Sequence, residues 1–90
     1  MIEELLKPGE VNAISAGELA KITGLEVRAV MHTIRHERLL GKPICSSARG
    51  YFLPADKYEL QATIKRLYNQ ASETKKVAET METLSKTIRF

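Results

Sequence analysis

Tryptophan is absent, cysteine occurs once, and only five of the 90 residues are aromatic (two Phe, three Tyr). No stretch of about 18 residues is free of charge, which excludes a helix that spans a membrane. The lone Cys45 cannot close an internal disulfide. With no second thiol at metal-ligand spacing it offers no zinc motif either. A single cysteine fits a reducing compartment, and the acidic start Met1-Ile2-Glu3-Glu4 lacks the basic and apolar stretches of an export signal, so a cytoplasmic protein is expected. There is no G-x-S-x-G segment and no glycine-rich phosphate loop, so neither an enzyme nor a cofactor is expected. A chain of 90 residues has room for one small domain and an extended element, with little scope for a cleft between lobes.

What is present is unevenly charged. The net charge is only +3. Residues 1–27 hold Lys7 and Lys21 against five glutamates. Residues 28–49 hold Arg28, Arg35, Arg38, Lys42 and Arg49 against Glu37 alone, with His32 and His36 among them. The remaining residues carry seven basic and five acidic groups. A local cationic patch of this kind attracts polyphosphate, the plainer alternative being a solvated surface.

Hydrophobic spacing divides the chain further. Ile2, Leu5 and Leu6 predict a short helix, ended by Pro8-Gly9, and Asn12–Ser15 reads as a short extended piece. Ser15-x-x-Glu18 is a capping box that opens a helix from Ala16 to Thr23, with Leu19, Ala20 and Ile22 as its apolar positions and Gly24 as its left-handed stop. A second helix runs from about Glu26 to Arg38, with Val27, Val30, Met31 and Ile34 apolar, before Gly41 and Pro43. Pro43–Ser46 and Tyr51–Pro54 flank small and polar residues and predict a hairpin. Asp56-x-x-Glu59 opens a last helix that nothing breaks as far as residue 88. Its stripe falls at Leu60, Ile64, Leu67, Ala71, Thr74, Ala78, Met81 and Ile88, with a second seam at Val77, Met81, Leu84 and Ile88. At 1.5 Å per residue such a helix is about 45 Å long, more than a body of 55 residues can cover. The expected class is therefore mainly α with a small β-hairpin, a compact unit over 1–55 and a long C-terminal helix over 56–90.

Glu18-Leu19-Ala20-Lys21-Ile22-Thr23-Gly24-Leu25 resembles the E-L-A-x-x-T-G-L run of bacterial helix-turn-helix units. Gly41-Lys42-Pro43-Ile44 followed by Gly50-Tyr51-Phe52-Leu53 is similar to the G-x-P-I … G-Y-x-L hairpin of the DNA-binding domain of biotin repressors and related bacterial and phage regulators. The resemblance covers residues 12–55 and implies a winged helix-turn-helix. Two departures stand out. The position of Glu37 is usually apolar in these families, which leaves Leu39 or Leu40 to anchor the second helix, and Glu26 replaces the usual capping serine.

The resemblance implies that the second helix lies in the major groove of a duplex, with Leu25, Ala29, Val30 and Ile34 toward the core. Its outer face would then carry Arg28, Met31, His32 and Arg35 to base edges or phosphates, flanked by Arg38 and Lys42, with the hairpin tip at Ser47 and Arg49 on the backbone or minor groove. His32 and His36 have the i, i+4 spacing of metal ligands, but no third ligand completes a set, so no metal is expected. Leu60, Ile64, Leu67, Ala71, Met81, Leu84 and Ile88 are expected to pair two copies. The expected partners are double-stranded DNA and a second copy, without membrane or small molecule. The expected role is transcriptional regulation of a bacterial or phage type. The alternative is a non-enzymatic adaptor in a phage or plasmid replication or packaging complex, with the same elements serving protein contacts.

Overall fold

The structure, a computed structural model, describes residues 1–89, so Phe90, the last residue of the C-terminal segment, lies outside the described residues. It is mainly helical: α1 (Ala16–Thr23), α2 (Val27–Leu39), a hairpin of β1 (Cys45–Ser47) and β2 (Gly50–Phe52), and α3 (Lys57–Ser85). The expected N-terminal helix is reduced to a 3-10 turn at Glu3–Leu5, and the expected extended piece begins with another at Glu10–Asn12. One turn is all that Pro8-Gly9 leaves room for.

Both expected caps form at their serine or aspartate. Ser15 Oγ accepts from the Glu18 amide at 3.1 Å, and Asp56 Oδ1 from the Glu59 amide at 2.9 Å. Among the described residues the reciprocal half forms in neither box. The Glu59 carboxylate accepts from Ala55 N at 2.9 Å and Glu10 N at 3.1 Å rather than from the cap's own amide. It thereby ties the N-terminal arm to the start of α3. Gly24 ends α1 with φ +75°, its amide donating to Ala20 O at 2.9 Å.

The hairpin turns on Ala48 and Arg49, since Ser47 pairs with Gly50. A third extended segment joins it. Ile14 N donates to Tyr51 O at 2.9 Å and Tyr51 N to Ile14 O at 2.8 Å. Gly50 makes that approach feasible, with φ +130° and Ile14 O only 2.5 Å from where a Cβ would stand.

The core is Ile2, Leu6, Leu19, Val30, Ile34 and Ile44, with Ile14, Ala20, Leu25, Tyr51 and Leu53 packed against it. Leu19, Ala20 and Leu25 thus close the α1–α2 joint as their spacing suggests. Thr23 fastens it, its hydroxyl donating to Leu19 O at 2.7 Å and accepting from Leu25 N at 3.3 Å. Ile22, counted among the apolar positions of α1, is exposed instead.

The anchoring of α2 corrects the sequence reading. Leu39 and Leu40 are 77% and 66% exposed and anchor nothing, whereas Glu37 is 5% exposed. Its Oε2 accepts from Ile2 N at 2.9 Å, and its Oε1 from Glu3 N and the Met1 ammonium, both at 3.1 Å. Glu37 follows Val30 and Ile34 at helical spacing on the core face of α2. A carboxylate survives there because the N-terminal backbone satisfies it. Burial alone would push its carboxyl up. The Ile2 and Glu3 amides and the ammonium outweigh that, and it titrates below the usual glutamate range.

Candidate nucleic-acid interface

Helical phase fixes which α2 side chains face out. With Val30, Ile34 and Glu37 inward, Arg28, His32 and Arg35 fall on the opposite side at steps of four and three. All three are exposed. Among the described residues, no side-chain hydrogen bond or ion pair holds any of them. Met31 adds apolar surface beside them, 53% exposed, and Val27 at the helix start is 45% exposed. Glu26 and His36 are exposed at the margins of that side. The one acidic residue within α2 is thus turned inward, so the outer face between Val27 and Leu39 carries no negative charge. Arg49 is exposed at the hairpin tip, and its amide donates to Ser47 Oγ at 3.1 Å.

Two expected contact residues are otherwise engaged. Arg38 Nε donates to Ile44 O at 2.8 Å and its Nη2 to Ser46 Oγ at 3.2 Å, so it staples the end of α2 to β1. Burial draws this guanidinium's pKa down, though Arg stays charged at any ordinary pH. Lys42 Nζ stands 3.7 Å from Glu3 Oε1, a half-exposed ion pair that partly spends its charge. Arg38 is therefore a structural residue, and Lys42 a weaker contact than its position suggests.

A groove of about 400 Å³ runs between α2, the hairpin and α3. Met31, Arg38, Ser47 and Arg49 all line it, whereas Arg28, His32, Arg35 and Lys42 lie outside it. Arg66 of α3 is in the same lining. The packing of Thr63 under β1, with Ser46 N donating to Thr63 Oγ1 at 3.2 Å, helps to bring it there. A second, open groove of about 820 Å³ between hairpin and α3 holds Glu10, Glu59 and Glu73 beside Lys65 and Arg66.

Among the described residues, no three His, Cys, Asp or Glu side chains converge on a metal site. Cys45 is fully buried in β1, and burial pushes its thiol up, away from the reactive thiolate. No described helix is long and apolar enough to cross a membrane. Of the residues expected to pair two copies, all but Ile88 lie on α3, which ends at Ser85 rather than running to residue 88. Ile64, Leu67, Met81, Leu84 and Ile88 are 39–65% exposed, Ala71 is exposed and Leu60 is half-buried.

Comparison with models of known protein families, with curated proteins and with solved structures finds no match to this chain.

Proposed function

We propose that this chain is a non-enzymatic, winged helix-turn-helix protein that binds double-stranded DNA and regulates transcription in the manner of bacterial or phage regulators. In this reading α2 enters the major groove and Arg28, His32 and Arg35 meet base edges and phosphates, with Met31 beside them. Arg49 and Ser47 at the hairpin tip meet the flanking backbone, and Arg66 and Lys42 add to the field. Two copies act together through α3, in the cytoplasm and without a cofactor. Regulation is by occupancy of a site.

One observation carries the reading: the outward face of α2 holds three basic side chains, Arg28, His32 and Arg35, that no other side chain among the described residues engages, while the helix's acidic residue is consumed in the core. Unpaired cations on one face of a helix of 13 residues are the arrangement that counterion release at phosphates rewards.

Selection from a pool of random duplexes tests it. The protein is expected to enrich a defined sequence, and Arg28→Ala with Arg35→Ala to lose more on that sequence than on random DNA. Recovery of no preferred sequence would overturn the reading.

A second reading, a non-enzymatic adaptor of a phage or plasmid replication or packaging complex, draws on the length of α3 that the body leaves uncovered. It predicts neither enrichment nor an effect of the two arginine substitutions in the same selection.

A further inference from the structure

The exposed apolar stripe of α3 has a spacing that reads the same from either end. Ile64, Leu67, Ala71, Thr74, Val77, Met81 and Leu84 are separated by three, four, three and then three, four, three residues, with Thr74 at the centre. We propose that α3 pairs with α3 of a second copy in antiparallel orientation, on a two-fold axis passing beside Thr74. This deepens the homodimer reading above and rests on it.

The geometry follows from the palindrome. An antiparallel pair centred on Thr74 sets Ile64 against Leu84, Leu67 against Met81, and Ala71 against Val77. Ile64, Leu67, Met81 and Leu84 thus each meet a large residue of the other copy, while Val77 meets the small Ala71. Small residues stand at the middle, where two backbones approach most closely. The Thr74 hydroxyl already donates to Gln70 O at 2.9 Å, so burying it leaves no unmet donor. The two successive three-residue steps at the centre wind the stripe more tightly left-handed there.

Charge separates this arrangement from the parallel one. At the same level of an antiparallel pair, Arg66 meets Glu82, and Glu73 meets Lys75. Lys65, Lys76 and Glu79 meet Thr83, Ser72 and Asn69. No two like charges share a level from residue 63 to residue 85, where α3 ends. A parallel pair in register would set each of these charges against its own copy. They lie on the outer flanks of the stripe, so each counts for little, but all carry the same preference.

The full chain without DNA provides the test. Sedimentation equilibrium is expected to give a dimer that Met81→Glu converts to monomer, Met81 being 65% exposed and outside the body's core. For orientation, Ile64→Cys and Leu84→Cys are oxidised separately and mixed, with wild type as the control for buried Cys45. Disulfide-linked dimers are expected only in the mixture, whereas Thr74→Cys links to itself. Self-linkage of Leu84→Cys without linkage in the mixture would overturn the antiparallel arrangement while leaving a homodimer. A monomer at all concentrations would overturn both. Neither outcome depends on whether the protein binds DNA.

Discussion

Glu37 and Arg38 are adjacent in sequence and both hold the end of α2, by opposite means. Replacing Glu37 with Ala leaves the Ile2 and Glu3 amides without an acceptor, at about 1–3 kcal/mol for a group left buried and unpaired. The urea midpoint should fall with the slope unchanged. Because the folded carboxyl titrates below its unfolded value, its contribution is complete above the ordinary glutamate range and is lost as pH falls through the lower folded value. Glu37→Gln should therefore flatten the acid limb of a stability–pH profile, and an unchanged limb would show that the carboxylate charge is irrelevant. Arg38→Ala should lower stability by about 1.5–3 kcal/mol through its bonds to Ile44 and Ser46. Arg28→Ala and Arg35→Ala, which break nothing within the fold, should stay within about 0.5 kcal/mol of wild type in the same denaturation.

Elements here depend on single backbone positions, and two glycines separate the cases. Gly24→Ala meets open space and bears only the left-handed conformation, about 1–2 kcal/mol. Gly50→Ala meets the Ile14 carbonyl as well, so it should cost more and lose the Ile14–Tyr51 pairing. Amide exchange of Ile14 and Tyr51, protected in wild type and Gly24→Ala but not in Gly50→Ala, checks both. Much of this level was legible in the sequence. The caps at Ser15 and Asp56, the stop at Gly24 and the hairpin are local chemistry, written within four residues of where they act. The role of Glu37 was not, because its partners are backbone amides 34 and 35 residues away and carry no side-chain signature. Its helical phase with Val30 and Ile34 was the available signal, and residue type argued against it. The engagement of Arg38 with Ile44 and Ser46 was hidden for the same reason. Whether a cation is free or engaged depends on the tertiary neighbour, which charge counting does not see.

At the scale of the whole molecule, a body built from residues 1–55 carries a helix that runs well past it, within overall extents of 50 × 31 × 23 Å. An antiparallel pair centred on Thr74 would put the two α3 starts about 51 Å apart at 1.5 Å per residue. The central claim concerns the outward face of α2. Its most direct test is a fluorescence-anisotropy titration of a labelled duplex over a range of salt, comparing wild type with the Arg28→Ala, Arg35→Ala double variant. Wild-type affinity should fall steeply with salt, and the variant should bind more weakly with a log–log slope shallower by about two. Equal affinities and equal slopes for the two proteins would contradict the claim.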